Sequence, residues 1–253
     1  MTALDADYFD HWYANVIRSP ARDVIVHRAL GLPADFQSAG LLGWDAIEEM
    51  VAALALTDTQ TLLDLACGRG GYGLEIIRRT GARMVGVDFS TVAVQQARRQ
   101  AETCGLTDRA DFRVGHLTDT GLGTSSVDVV LCVDSIQFAE PISVALRECH
   151  RVLKQGGRVA LTAWQLIDAT DEELRRRVRH HDLAVELEAA GFEQVKVVDR
   201  PAWRTAERAM WLAAKNVDIG DDPALRSMRD EALRALDVFD TRRRVLATAI
   251  ASH

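Results

Sequence analysis

The sequence predicts an α/β protein with a doubly wound, mostly parallel sheet of seven strands. Short apolar runs, typical of buried parallel strands, alternate with longer segments of helical periodicity. A glycine-rich turn follows the first of these runs, within residues 61–73. Strand, glycine turn and helix in this order bring the backbone close to a ligand, because a Cβ at the glycines would block the approach. We therefore expect the ligand site at the carboxyl edge of the sheet.

The composition is that of an ordinary globular protein. The chain has 253 residues, of which 48% are hydrophobic and 26% charged, and this length suits one α/β domain with a lid or an insertion. A formal net charge of -7 at pH 7 argues against binding to a nucleic-acid backbone. The sequence has neither a long apolar run that would span a membrane nor an apolar signal core at its start. We expect a cytoplasmic monomer or homodimer whose partner is a small molecule.

The cysteines and histidines do not form a metal-binding pattern. The four cysteines include no C-x-x-C pair, and we expect them to be reduced. The pair His180-His181 lacks the i, i+4 spacing and the neighbouring ligands of a zinc site. We therefore predict no metal.

The N-terminal segment is aromatic and periodic. Residues 4–18 carry apolar and aromatic groups at helical spacing, among them Tyr8 and Trp12. The segment is either an amphipathic helix packed on the core or a lid whose rings close over a ligand. In the second case Tyr8 and Trp12 would contact the substrate. His11 lies in the same segment and is a candidate base.

The segment before the first strand completes a helical N-terminal unit, residues 1–56. Helices are predicted over residues 23–30 and 45–56, with a loop at 36–43. The α/β core with its helical cover would occupy residues 57–253.

The glycine turn narrows the choice of ligand. Gly68, Gly70 and Gly73 have the spacing of a dinucleotide-binding turn. Asp88 follows about twenty residues later, where a ribose-binding acid is expected. However, Asp64 interrupts the apolar strand just before the turn, and its carboxylate would repel a pyrophosphate. A ligand with a cationic amino-acid tail fits better, although a turn in which Asp64 only caps local amides stays possible.

The second and third strands are predicted over residues 83–88 and 110–115. Asp88 ends the second strand and can accept both hydroxyls of a ribose; its alternative function is to cap a helix. Ser90 is the predicted N-cap of a helix over residues 91–104. His116 follows the third strand.

The fourth strand, over residues 126–138, is almost continuously apolar, as expected for a central strand. Asp134 falls near its carboxyl end, where open α/β sheets bind ligands. Asp134 is therefore a candidate for ligand binding and catalysis, and Gln137 for substrate contact.

The rest of the chain completes the sheet. A helix is predicted from Pro141 to residue 153, a turn at 154–157 and a fifth strand at 158–164. Trp164, just past that strand, is a candidate wall of the substrate pocket. A charged helix is predicted over residues 168–179, followed by a helix at 182–190 and the sixth strand at 192–198. A helical insertion at 200–240 is the predicted substrate cover. A closing antiparallel strand is predicted at 244–251.

Three stretches resemble one family. The run Leu-Asp-Leu-Ala-Cys-Gly-Arg-Gly at 63–70 resembles the first motif of class I S-adenosylmethionine-dependent methyltransferases. Residues 146–159 resemble its late motif, and Ala-Gly-Phe at 190–192 precedes a valine-rich strand as in that family. The resemblance extends from about residue 56 to residue 198. It implies a Rossmann-like methyltransferase fold with N-terminal helices and a helical insertion before the last strand.

The resemblance also implies the cofactor, S-adenosyl-L-methionine, and the residues that bind it. The family usually has an acid at the position of His116 to bind the adenine amine, so this contact departs from the pattern, and Asp119 is a possible substitute. The implied cofactor-binding residues are Asp64, Ala66, Gly68, Gly70, Asp88, Phe89, Ser90, Gly115, His116, Leu117, Val133 and Asp134.

Within the family, the sequences Gly-Arg-Gly-Gly-Tyr-Gly at 68–73 and Val-Gly-Val-Asp-Phe-Ser at 85–90 are similar to those of bacterial small-molecule enzymes. These enzymes form the ubiquinone/menaquinone-biosynthesis-like group, and many of them belong to natural-product pathways. Relatives of this kind often have histidines at the positions of Gln137 and Phe138, and this chain has none there. The resemblance therefore implies methyl transfer to a small molecule, O-linked first and N- or C-linked next, with Asp134, His11 or His181 as helper.

Two other functions stay open. The chain could keep the fold and the cofactor but catalyse another step, such as a cyclisation. It could also be an NAD(P)-dependent oxidoreductase, although Asp64 argues against a pyrophosphate at the turn.

Overall fold

The apolar runs of the sequence form a single sheet. The computed structural model describes residues 6–178 and 181–252. In these residues the strands are β1 (Thr61–Leu65), β2 (Arg83–Asp88), β3 (Ala110–Val114), β4 (Val127–Val133), β5 (Leu153–Leu166), β6 (Phe192–Asp199) and β7 (Arg242–Ala251).

The strand order is β3-β2-β1-β4-β5-β7-β6. Strands β1 to β5 pair in parallel, and β7 is antiparallel to both β5 and β6. This confirms the predicted doubly wound, mostly parallel seven-stranded sheet with a closing antiparallel strand. The carboxyl ends of β1, β2 and β4 lie side by side, because β1 pairs with both neighbours.

Helices cover both faces of the sheet. They are α1 (Ala6–Val16), α2 (Pro20–Leu30), α3 (Trp44–Leu54), α4 (Gly71–Thr80), α5 (Thr91–Thr103), α6 (Ile142–Val152), α7 (Glu172–Arg177), α8 (Leu183–Ala189), α9 (Pro201–Lys215) and α10 (Pro223–Asp237). Short 3-10 turns occur at Ile136–Phe138 and Phe239–Thr241. No helix in the described part of the chain has the length and apolar character needed to cross a membrane.

Alternation along β1 separates two apolar cores. Leu63 and Leu65 belong to the core that contains α6 and α8, whereas Leu62 belongs to the core that contains α3, α4 and α5. Asp64 therefore faces the same side as Leu62, beneath α4. This is why an acidic residue can interrupt an apolar strand without reaching solvent.

The predicted cover and the N-terminal helices pack together. Helix α2 contacts α9 and α10, and α1 contacts α5 and α10. Buried residues of α9 and α10 join the same apolar core as those of α2 and α3, namely Val26, Met50, Trp203, Met210, Trp211 and Met228.

Several predicted boundaries are wrong. Strand β4 ends at Val133, because Asp134 takes a left-handed backbone (φ 56°), and a 3-10 turn follows. Strand β5 begins at Leu153, which pairs with Val127 through a register shift, so the predicted turn at 154–157 is part of the strand. The strand then continues to Leu166.

Two side-chain environments follow from the longer β5. Trp164 is a member of the strand and is the register partner of Arg244 on β7, so it does not follow the strand end as predicted. The predicted charged helix is shorter, with α7 spanning Glu172–Arg177, and its last predicted residue at 179 lies outside the described residues. His180 of the predicted histidine pair lies outside them as well.

Candidate functional site

The glycine turn joins β1 to α4 with a strained backbone. Ala66, Gly68 and Gly70 all have positive φ angles, of 57°, 53° and 83°. A Cβ on Gly68 would lie 2.8 Å from the hydroxyl oxygen of Tyr13. The missing side chain therefore lets the Tyr13 hydroxyl pack directly against the turn.

Asp88 lies directly against this turn. Its Oδ2 accepts the Gly68 amide hydrogen at 2.8 Å, and its Oδ1 accepts that of Ser90 at 2.9 Å. Burial raises the pKa of Asp88 to about 6, and these amide hydrogen bonds oppose the rise. Each carboxylate oxygen keeps a further acceptor site, so the group can still receive hydroxyl donors.

Asp64 lies deeper than the sequence suggested. It is 3% exposed, and a Cβ on Gly73 would lie 2.5 Å from its Oδ2. Burial raises the pKa of Asp64 to about 8, while a hydrogen bond from the Gly73 backbone lowers it and the charge of Asp88 raises it further. Asp64 is therefore largely neutral at pH 7, and a cation placed nearby would favour its ionised form.

Helix α1 closes over this edge. The Phe9 ring contacts the Phe89 ring at 5.2 Å between centroids, and Tyr13 is buried. Asp10 accepts hydrogen bonds from the Ser90 hydroxyl and, at 2.8 Å, from the Thr91 hydroxyl at the start of α5. These contacts fix α1 beside the end of β2.

The end of β3 contributes a second aromatic contact. His116 is exposed and meets the Phe89 ring edge-on, with centroids 6.2 Å apart. The backbones of His116 and Asp119 pair with each other, and the exposed Asp119 carboxylate accepts the Gly121 amide at 3.2 Å. The Leu117 side chain packs on the apolar core of the α6 face.

The loop before α3 meets the end of β4 at Asp134. Its Oδ2 accepts the Leu41 amide hydrogen at 2.8 Å, and its Oδ1 accepts the Thr162 hydroxyl at 2.6 Å. The Arg244 guanidinium lies 2.8 Å from the same Oδ1. A Cβ on Gly40 would lie 2.9 Å from Val133, so this loop packs directly on the strand end.

A buried charged cluster continues from Asp134 into α9. Glu207 lies 3.6 Å from Arg244 and accepts both indole N–H groups, from Trp164 at 2.9 Å and from Trp211 at 2.9 Å. The Arg244 guanidinium stacks 4.3 Å above the Trp164 ring. Trp164 therefore packs against charged partners.

The remaining candidates divide between two places. Gln137 donates to the carbonyl of Asp134 at 2.7 Å, and its buried Oε1 has no hydrogen-bond partner among the described residues. Tyr8, His11 and Trp12 line a cavity of about 290 Å³ between α1 and the start of α10. The His11 ring forms a hydrogen bond through Nδ1 with the backbone carbonyl of Asp7 in the same helix.

The structure thus brings the turn, Asp88 and the Asp134 region to one edge of the sheet. It adds functional candidates that the sequence reasoning missed: Tyr13, Thr162, Glu207 and Arg244. Only Arg244 gave a signal in sequence, as a charge at the start of an apolar strand. Across residues 6–178 and 181–252, no group of three or more His, Cys, Asp or Glu side chains could hold a metal ion.

Known proteins resemble the chain in sequence. Residues 63–161 match a family described as a methyltransferase domain. The sterol 24-C-methyltransferase erg6 of Aspergillus fumigatus is 28% identical over 172 residues, which cover 67% of this chain and 44% of that protein. The corresponding ERG6B protein of Gibberella zeae is 31% identical over 140 residues, covering 54% of this chain and 36% of its own. The chain thus spans less than half the length of these relatives.

Solved structures share the fold. The [4+2]-cyclase SpnF superposes with a TM-score of 0.73 at 23% identity and covers 93% of this chain and 94% of its own. Phosphoethanolamine N-methyltransferase 2 of Haemonchus contortus, in complex with S-adenosylhomocysteine, gives 0.75 at 17% identity, with 93% and 58% covered. Geranyl diphosphate C-methyltransferase from Streptomyces coelicolor gives 0.62 at 19% identity, with 83% and 78% covered.

At these identities the structural likeness establishes the fold, and the family match covers residues 63–161, about two fifths of the chain. The sheet order and the antiparallel β7 are those of the methyltransferase fold. Residues 63–161 therefore resemble a methyltransferase domain, on a fold that the solved methyltransferase structures share.

Proposed function

We propose that this protein binds S-adenosylmethionine along the carboxyl edge of the sheet and transfers its methyl group to a small molecule. The contact that carries the proposal joins Asp88 Oδ2 to the Gly68 amide at 2.8 Å. It places a carboxylate directly beside the glycine turn. A ribose fits this arrangement, because both oxygens of Asp88 can accept hydroxyl hydrogens.

The cofactor-binding residues divide by the part of the ligand that each would hold. Asp88 and Ser90 would hold the ribose. The adenine would lie against Phe89, Gly115, His116 and Leu117, of which the Phe89 and His116 rings meet edge to face. The amino-acid part would lie against Asp64, Ala66, Gly68 and Gly70, with Val133 and Asp134 at the end of β4. We add Tyr13, whose hydroxyl packs against the turn at Gly68.

When bound, the cofactor supplies an electrophilic methyl group on a cationic sulfur. The protein then has to align the acceptor and exclude water. Helix α1 excludes water through the contact of Phe9 with Phe89 and through the three hydrogen bonds of Asp10 to the start of α5. Residues 1–56 act in this proposal as a helical lid over a core at 57–253.

The acceptor lies between the end of β4 and the helical cover at 200–240. Gln137 offers the buried Oε1 as a free hydrogen-bond acceptor, and Trp164 would form part of the wall. Tyr8 and Trp12 line the cavity between α1 and α10 and would meet the acceptor only if α1 moves. Asp134 is a poor base, because its carboxylate already accepts two hydrogen bonds and an ion pair. Catalysis therefore depends on proximity, and His11 stays a helper only if α1 moves.

The acceptor atom and the pathway are finer proposals. Two names among the relatives specify carbon acceptors, a sterol and geranyl diphosphate, and one specifies nitrogen. These names favour a carbon acceptor over the oxygen acceptor expected from the sequence. The motif sequences resemble those of the ubiquinone/menaquinone-biosynthesis-like group, and this resemblance supports a cytoplasmic enzyme of bacterial small-molecule metabolism.

A second candidate is a cyclisation on the same scaffold. SpnF is a [4+2]-cyclase and matches this chain over nearly its full length. The engaged carboxylate of Asp134 fits a reaction that needs no base. In this case the cofactor would be bound without being consumed.

Titration calorimetry with S-adenosylmethionine, and with NAD⁺ for comparison, tests whether the protein binds the proposed cofactor. We expect S-adenosylmethionine to bind and NAD⁺ not to bind. Incubation with a panel of sterols, polyprenyl diphosphates, quinols and polyenes, with S-adenosylhomocysteine measured by mass spectrometry, tests the second. Binding of NAD⁺ alone would overturn the proposal, and product formation without S-adenosylhomocysteine would select the cyclase.

A further inference from the structure

Arg244 is a fully buried cation in the middle of the fold. It is 0% exposed, and its guanidinium nitrogens have no aligned hydrogen-bond acceptor in the described part of the chain. Its partners are charges: Asp134 Oδ1 at 2.8 Å and Glu207 Oε2 at 3.6 Å. With no exposed surface, Arg244 has no room for a ligand beside it, so its function must act through these partners.

Asp134 is the partner that reaches the candidate site. One oxygen is shared by Arg244 and Thr162, whereas the other accepts only the Leu41 amide among the contacts described. A buried carboxylate without a counter-ion is costly. The anion that holds Leu41 therefore depends on Arg244.

Leu41 belongs to the loop at 36–43, which covers the glycine turn. A Cβ on Gly71 would collide with the carbonyl oxygen of Gln37. A Cβ on Gly68 would lie 3.6 Å from the Cβ of Ala39. At the far end of the loop, the Tyr72 hydroxyl donates a hydrogen bond to the Leu42 carbonyl and accepts one from the Leu42 amide, each at 3.0 Å. The loop is thus attached to α4 by Tyr72 and to the sheet by Asp134.

We infer that Arg244 is a positioning residue: through its ion pair with Asp134 it holds the loop at 36–43 over the glycine turn, and so shapes the cofactor site from a distance. Glu207 extends the same link to the cover, because it binds Arg244 and the indoles of Trp164 and Trp211. The effect on the cofactor rests on the proposed function, whereas the effect on the loop does not.

Hydrogen–deuterium exchange read by mass spectrometry tests the inference in the full chain. In Arg244→Met the peptide over 36–43 should exchange about tenfold faster, while the peptide over α3 keeps its wild-type rate. The Kd for S-adenosylmethionine should rise by a similar factor. Arg243→Met changes an exposed arginine of the same strand and should leave both readings unchanged.

Two further variants separate positioning from general stability. Arg244→Lys keeps the charge and should restore part of the protection of the loop. Arg244→Met combined with Asp134→Asn removes the unpaired charge next to the loop, although not that of Glu207 on α9, and keeps an oxygen for the Leu41 amide. Loop exchange should therefore return to within about threefold of wild type.

An unchanged loop in Arg244→Met, equal acceleration of the α3 peptide, or a double variant as fast as the single one would each overturn the inference. If the wild type binds no S-adenosylmethionine, the proposed function fails, and the exchange data still decide whether the ion pair holds the loop.

Discussion

Two buried carboxyl groups at neighbouring strand ends behave differently. Asp88 accepts two backbone amides and keeps a pKa of about 6, whereas Asp64 accepts a single backbone hydrogen bond from Gly73, and its pKa reaches about 8. Burial is the main cause of both rises. At pH 7 Asp88 is thus mostly ionised, whereas Asp64 is mostly protonated.

Asp88→Ala tests the ribose contact. We expect the binding free energy of S-adenosylmethionine to weaken by about 1–3 kcal/mol, because hydroxyl donors of the ligand lose their acceptor. Calorimetry measures the change, and circular dichroism checks that the variant is folded. Asp111→Ala, an exposed acid on β3, is the control. Equal affinity of Asp88→Ala and wild type would remove the ribose assignment.

Asp64 should leave a signature in the pH dependence of stability. The folded protein keeps a proton on Asp64 up to about pH 8, whereas the unfolded chain releases it near the ordinary value of 3.8. Between these values the folded state binds more protons, so the free energy of unfolding falls as pH rises. Asp64→Asn removes this contribution, which is at most about 1.4 kcal/mol per pH unit.

Urea denaturation at pH 4.5, 6 and 7.5 measures this contribution of Asp64 to the free energy of unfolding. The stability of Asp64→Asn relative to wild type should increase steadily with pH. Asp111→Asn makes the same substitution at an exposed site and is the matched control. A flat difference for Asp64→Asn would contradict the buried, protonated state.

At the scale of elements, the sequence predicted what depends on local pattern. The strand–turn–helix unit at 61–80, the Ser90 cap of α5 and the closing strand β7 were predictable, since periodicity and glycine placement determine them. The extent of β5 was not, because the pairing of Trp164 with Arg244 across β7 decides it. The cluster of Arg244, Asp134 and Glu207 joins three distant segments, so no spacing could reveal it.

In the proposed function, closure of the site depends on helix α1. Asp10 binds the Ser90 hydroxyl, the Thr91 hydroxyl at 2.8 Å and the Val92 amide at 3.2 Å. Burial acts to raise the pKa of Asp10, but these bonds, led by that from Ser90, lower it overall. Asp10 therefore stays ionised and holds α1 to the start of α5, where a helix favours an anion.

Asp10→Ala should loosen the lid. We expect the Kd for S-adenosylmethionine to rise about fivefold, a loss of about 1 kcal/mol, mainly through faster dissociation. Stopped-flow displacement measures the rate. Asp7→Ala, one turn earlier and exposed, should match wild type. If both variants dissociate at the same rate, Asp10 does not control closure.

At the scale of the whole molecule, the N-terminal helices and the cover share an apolar core with one face of the sheet. Val26 of α2, Met50 of α3 and Trp211 of α9 all belong to this core. The division at residue 56 is therefore a proposal about function, since lid and cover pack as parts of one body. Their packing explains how a change at Glu207 on α9 could reach Leu41 through Arg244 and Asp134.

This shared core predicts one cooperative unfolding transition. Tryptophan fluorescence reports on all five tryptophans, of which Trp203 and Trp211 belong to the cover and Trp44 to α3. It should give the same urea midpoint as far-ultraviolet circular dichroism. S-adenosylmethionine at about 100 times its Kd should raise the free energy of unfolding by about 2.7 kcal/mol in both signals, because it binds only the folded state. NAD⁺ at the same concentration should shift neither. Separate midpoints, or a ligand shift confined to the circular dichroism signal, would show that cover and sheet unfold independently and that the cofactor site does not depend on the helical layer.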